Sequence, residues 1–150
     1  FEGNALIKAM TYGSKTGVLT AAEDAGLEVD ALDGRPGVLS ARYAPGSDAD
    51  RNTKLLAELA DVPEDRRTAR FAAVVALYDP ATETVRTCMG SVEGRITNES
   101  RGTNGFGYDP IFYYPEAGKT SAEMTPEEKN TVSHRAVAWQ KARDVLLSDF

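Results

Sequence analysis

The sequence predicts a mixed α/β domain, on three observations. Stretches with apolar residues at helical spacing alternate with short apolar runs of strand length. Asp79-Pro80-Ala81-Thr82-Glu83 is a turn between two strand-like runs, which makes a β-hairpin. The chain has 150 residues, of which 41% are hydrophobic and 27% charged. That suits one domain with its own core.

The elements follow in order. Asn4 reads as the cap of a first helix carrying Ala5, Leu6, Ala9 and Met10, with stop signals between Gly13 and Gly17. Val18 to Ala22 reads as a strand, with the carboxylate pair Glu23-Asp24 just past its carboxyl end. Leu27 to Leu32 alternates loosely and enters the turn-rich stretch Asp33 to Gly37. Ser47 caps a second helix, with Asp48 and Asp50 in its first turn and a stripe of Leu55, Leu56, Leu59 and Val62. Phe71 to Tyr78 reads as a central strand, and Val85, Thr87 and Met89 alternate along the returning one. Thr97 to Gly107 is a polar, glycine-rich loop feeding a second short strand, Tyr108 to Tyr113. Thr125-Pro126-Glu127-Glu128 is a capping box with proline at the first helical position. The closing helix places Ala136, Trp139, Ala142, Val145 and Leu146 on one face.

Charge and cysteine usage narrow the function classes. The net charge is −6, with the acidic residues scattered along the chain. A binder of nucleic acid polymers needs a basic face, which is lacking. A small nucleotide remains open, because a divalent cation can sit between a triphosphate and an acidic site. No apolar run has the length of a membrane span. Cys88 is the only cysteine, which excludes an intrachain disulfide and a cysteine metal cluster and fits a reducing, cytoplasmic setting.

Two phosphate-binding motifs fail on spacing. Gly118-Lys119-Thr120 resembles the end of a P-loop, but Tyr113 stands where that loop requires its first glycine. Gly102, Gly105 and Gly107 reverse the dinucleotide spacing and precede a strand. Three other groups carry chemistry. Glu23-Asp24 reads either as a solvated pair at a strand end or as a Mg²⁺ site with a carboxylate able to take a proton from water. In Gly105-Phe106-Gly107-Tyr108-Asp109-Pro110 the glycines allow close backbone approach to a flat ligand and Phe106 offers a stacking surface, with Asp109 an acceptor for a base or ribose; the alternative is an aromatic plug beside a turn. Lys129 and His134 would lie about 140° apart on one unbroken helix. A break at Ser133 would let both, with Arg135, face one ligand, whereas a lone histidine is otherwise structural.

The stretches FEGNALIKA, AEDAGLEVDALDGRPGVLSARYA, NGFGYDPIF and GKTSAEMTPEEKNTVSHRA, at this separation, resemble the inosine triphosphate pyrophosphatase family, also called XTP/dITP pyrophosphatases. The resemblance runs from Phe1 to the final helix. It implies an elongated α/β fold, with a central mixed β-sheet flanked by helices and two lobes with a nucleotide cleft between them. It also implies a cytoplasmic homodimer that uses Mg²⁺ to hydrolyse ITP, dITP and XTP to the monophosphate and pyrophosphate, cleansing the nucleotide pool. By resemblance Asp24 is the catalytic proton acceptor and a metal ligand. Ala25, Phe106, Gly107, Tyr108, Asp109, Lys129, His134 and Arg135 then match substrate-binding positions. Arg135 is donor-only, so it can pair with the C6 oxygen of hypoxanthine or xanthine but not with the amino group of adenine.

The sequence departs from the family pattern in two places. Glu23-Asp24-Ala25-Gly26 stands where Asp-Asp-Ser-Gly is usual, so Glu23 has a longer arm and Ala25 offers only its backbone N–H; weaker phosphate binding is expected. The family's first strand, its Ser/Thr-x-Asn-x-x-Lys phosphate loop and a second acidic metal ligand precede the position of Phe1. The expectation is therefore residues 1–150 as a single pyrophosphatase domain lacking that segment, with an open sheet edge or groove. Little or no turnover is expected of these residues alone, and the alternative reading is a catalytically impaired purine-nucleotide-binding fragment.

Overall fold

The computed structural model describes residues 1–150. In chain order it contains α1 (Glu2–Thr16), β1 (Thr20–Val29), α2 (Asp48–Glu58), β2 (Thr68–Asp79), β3 (Thr84–Ile96), β4 (Phe112–Tyr114), β5 (Lys119–Thr120), α3 (Pro126–Val132) and α4 (His134–Asp149). The strands form one five-stranded sheet in the order β1-β2-β3-β4-β5. β3 pairs antiparallel with β4 at Arg95↔Tyr113, and β4 with β5 at Tyr113↔Thr120. At the other end Arg70 of β2 meets Glu28 of β1, and Thr68 meets Asp30, as antiparallel neighbours do. The sheet within this chain is thus an antiparallel meander flanked by helices, without the parallel pair that a mixed sheet contains.

Contacts divide the chain into two compact units. The first comprises Phe1–Ala25, Ala72–Ser91 and Ser133–Phe150. Within it, α1 and α4 cover opposite faces of the strands. Successive strand residues point to opposite faces. Val74, Ala76 and Tyr78 therefore pack with Ala5 and Ala9 of α1, and Ala73, Val75 and Leu77 with Ala138 and Ala142 of α4. Both helices turn small residues to the sheet, which lets them lie close to it. A Cβ at Gly13 would meet the Tyr78 ring at 2.6 Å, and one at Gly90 would meet Ala138 N at 2.5 Å. α1 ends where Gly17 takes the left-handed conformation and its N–H reaches Gly13 O at 2.8 Å.

The second unit comprises Gly26–Phe71 and Val92–Val132. Its core gathers Leu27, Val29, Leu55, Leu59, Ile96, Ile111 and Met124 around Phe112, whose ring lies 4.3 Å from Phe71 and 5.1 Å from Tyr114. The buried Arg67 guanidinium donates to the carbonyls of Leu59, Thr97 and Val62 at 2.7, 2.9 and 3.0 Å, closing chain ends that would otherwise be orphaned.

The capping reading of Ser47 holds, with a capping box to Asp50. So does the break at Ser133, whose hydroxyl accepts the Ala136 N–H. Four readings change. α1 already begins at Glu2, so Asn4 lies inside it rather than capping it. β1 runs on to Val29, which puts Glu23 and Asp24 inside the strand, because each carboxylate meets donors on its own face. Asp109 to Ile111 forms a 3-10 turn rather than strand, since Pro110 has no N–H for a ladder. On α4 the fully buried positions are Ala138 and Ala142, while Ala136 and Trp139 lie to the side.

Candidate active site

In the first unit, two consecutive strand residues present carboxylates to two different helices. Asp24 faces α1. Its Oδ1 accepts Lys8 Nζ at 3.2 Å and its Oδ2 accepts Asn4 Nδ2 at 3.2 Å, while Lys8 also donates to Glu23 O at 3.0 Å. Asn4 and Lys8 are one helical turn apart, so they share a face. Glu23 faces α4. Its Oε1 accepts Arg135 Nε at 2.6 Å and its Oε2 accepts Trp139 Nε1 at 2.6 Å, again from residues one turn apart. Ala25 packs its methyl against the α4-side core, leaving its backbone as its polar part. His134 is buried at the first turn of α4.

A carboxylate has about four acceptor positions. Lys8 and Asn4 take one on each oxygen of Asp24, so one on each oxygen is left for a water or a cation. No three His, Cys, Asp or Glu side chains converge to cage a metal. Mg²⁺ does not need such a cage: it binds through one or two carboxylates and completes its shell with water and substrate phosphates. Asp24, with acceptor positions open, fits that kind of ligand.

In the second unit, the loop before β4 is built on positive φ at Gly105 (74°) and Gly107 (60°). Its side chains divide in function. Phe106 is 62% exposed, whereas Asp109 is 3% exposed. Asp109 Oδ2 accepts the Phe106 N–H at 3.0 Å and also pairs with Lys129 Nζ, which lies 5.0 Å above the Phe106 ring. Tyr108 is buried, its hydroxyl donating to Ser40 O at 2.7 Å, and burial pushes its pKa up to about 12. Gly107 is gripped from α2: its N–H donates to Asp48 Oδ2 at 2.8 Å and its carbonyl accepts Asn52 Nδ2 at 3.1 Å. The Arg51 guanidinium, and then that Gly107 N–H, hold the Asp48 carboxyl below the ordinary range. A groove of about 360 Å³ opens beside the ring, lined by Asp48, Asn52, Ser100, Thr103, Phe106 and Pro110.

A profile of the Ham1 family matches residues 1–145. The chain belongs to the Ham1 family. A Desulforamulus reducens protein named dITP/XTP pyrophosphatase is 50% identical over 148 residues, covering 97% of this chain and 73% of the relative. A Symbiobacterium thermophilum protein of the same name is 53% identical over 146 residues, again covering 97% and 73%. The solved Staphylococcus aureus Ham1 protein superposes with a TM-score of 0.94 at 38% identity, covering all of this chain and 78% of that one.

Within this Ham1-family chain the expected site residues fall into two sets. Asp24, Ala25, His134 and Arg135 lie in the first unit, and Phe106, Gly107, Tyr108, Asp109 and Lys129 in the second. The structure joins Lys129 to Asp109 and Phe106, and Arg135 to Glu23. Asp109 and Tyr108 brace the loop through their side chains, and Phe106 is the aromatic side chain the loop exposes. Sequence reasoning missed Asn4, Lys8, Asp48, Asn52 and Trp139 as parts of the site. The available signal was polar pairs one turn apart on otherwise apolar helix faces, Asn4/Lys8 beside Ala5/Ala9 above all.

Proposed function

We propose that the chain is a Mg²⁺-dependent pyrophosphatase of non-standard purine nucleoside triphosphates. ITP, dITP and XTP would be its substrates, and a monophosphate and pyrophosphate its products. The names of relatives at about half identity support this reading. The observation that carries it is Asp24: an oriented carboxylate with an acceptor position open on each oxygen.

Asp24 takes a proton from the attacking water as the water oxygen bonds to phosphorus. The bridging bond between the α- and β-phosphates breaks, and its electron pair leaves with pyrophosphate. Asp24 would hold Mg²⁺, which when bound would supply charge neutralisation at the phosphates. Lys8 and Asn4 fix the carboxylate's orientation, and Lys8 adds a cation beside the reacting phosphates. Phe106 stacks on the purine, with Lys129 near the ring, and Gly107 leaves room for the base plane. Arg135 donates to the C6 oxygen, and His134 and the Ala25 backbone N–H line the nucleotide. As the resemblance implies, the enzyme works as a homodimer, an assembly that sedimentation measures directly, and its lone cysteine fits a reducing cytoplasm.

Pyrophosphate release from ITP, XTP and ATP with Mg²⁺ tests this reading. A site committed to an oxygen at C6 should favour ITP and XTP over ATP by on the order of 10²-fold or more in kcat/KM. Equal turnover of ATP would overturn it.

A further inference from the structure

Glu23 stands where the family pattern has aspartate, and its longer arm reaches two donors of α4 at once. The bonds to Arg135 Nε and Trp139 Nε1 are both 2.6 Å, and the Glu23 side chain is 17% exposed against 45% for Arg135. The helix end that carries Arg135 is itself pressed on β3, because Gly90 has no Cβ to hold off Ala138 N and the His134 carbonyl. The backbone of the turn and the inner nitrogen of the guanidinium are therefore both fixed.

We infer that Glu23 is a positioning residue for purine selectivity. It sets the plane of the Arg135 guanidinium before the nucleotide arrives, and Trp139 holds Glu23 in place to do so. This rests on Arg135 being the group that meets the purine C6 oxygen. An arginine left to sample its rotamers loses that freedom on binding a flat ligand, and one held beforehand binds without that cost.

Trp139 is the only tryptophan in the chain, so its emission reports on this contact. The experiment measures Trp139 fluorescence of the free protein, and KM and kcat for ITP, in Glu23→Ala, Glu23→Gln, Arg135→Ala and the Glu23→Ala/Arg135→Ala double variant. Glu23→Ala should shift the emission and raise KM for ITP about tenfold, with kcat within about twofold. Glu23→Gln keeps the shape and an acceptor but loses the charge, and should raise KM less. The double variant should be no worse than Arg135→Ala alone, because Glu23 acts only through Arg135. Additive losses would overturn the inference, as would an unchanged KM in both Glu23 variants. If Arg135→Ala raises KM while the Glu23 variants do not, Glu23 loses its role and Arg135 keeps its own. If Arg135→Ala leaves KM unchanged, the base-reading assignment and the inference fall together.

Discussion

The two units hold their functional groups in different ways. In the first, side chains hold side chains: Asn4 and Lys8 of one helix grip Asp24, and Arg135 and Trp139 of another grip Glu23. In the second, the chain holds its own backbone. The loop that exposes Phe106 is pinned through the amides of Phe106 and Gly107 and the carbonyl of Gly107, on glycines at positive φ. Under the proposed function, the first arrangement would place charge for chemistry at a phosphate, and the second a shape for stacking on a flat base. The lesson is that their weak points differ: charge-neutral replacements should disable the first unit, and added side-chain atoms on the loop should disable the second.

The largest expected effect comes from removing charge without changing shape. Asp24→Asn should lower kcat by roughly 10²–10⁴-fold, the range for losing a general base, with an unchanged circular dichroism spectrum. Pyrophosphate release and the spectrum together check it. A variant that kept full rate would remove Asp24 from the chemistry.

Gly105→Ala should break the second unit's arrangement while leaving Asp24 alone. An L-residue at φ 74° is strained, and the added Cβ would collide with the Asp109 carboxylate that holds the loop. The cost should be about 1–3 kcal/mol in denaturant unfolding, as for other strained backbone positions. KM for ITP should rise while kcat is spared. A fall in kcat at constant KM would mean that the loop takes part in the chemical step.

The smallest effect is a pH dependence. Arg51 and the Gly107 N–H lower the Asp48 pKa from 3.8 in the folded state. A depressed carboxylate pKa contributes stability that is fully present above the unfolded value and is lost as pH falls through the folded value. Asp48→Asn should therefore lower stability above 3.8 and flatten the acid limb below it, so that variant and parent converge in acid. An identical acid limb in the variant would show that this carboxylate does not hold the loop.

Much of the architecture was legible from local signals. Ser47, Ser133 and Thr125 are hydroxyl residues that each cap a helix, and the Phe71–Tyr78 run is the buried centre of β2. Strand limits were less legible. Glu23-Asp24 looks like an ending because charges are uncommon inside a sheet, yet partners on both faces keep β1 going. The pairing direction of β1 and β2 depends on contacts such as Glu28 with Arg70, forty-two positions apart in sequence, which no local pattern encodes. Of the candidate site, the Glu23-Asp24 pair and the Phe106 loop stood out by residue type and spacing, while the roles expected of them came from the family resemblance. Asn4 and Lys8 left only the weaker signal of a polar pair one turn apart beside Ala5 and Ala9, and which carboxylate they meet is set only when the helix face meets the strand.

Phosphorus NMR of the products formed from ITP with Mg²⁺ tests the central claim most directly. If Asp24 directs water to the bond between the α- and β-phosphates, the spectrum should show the monophosphate and pyrophosphate appearing together, with no IDP. Release of orthophosphate with IDP would contradict that account.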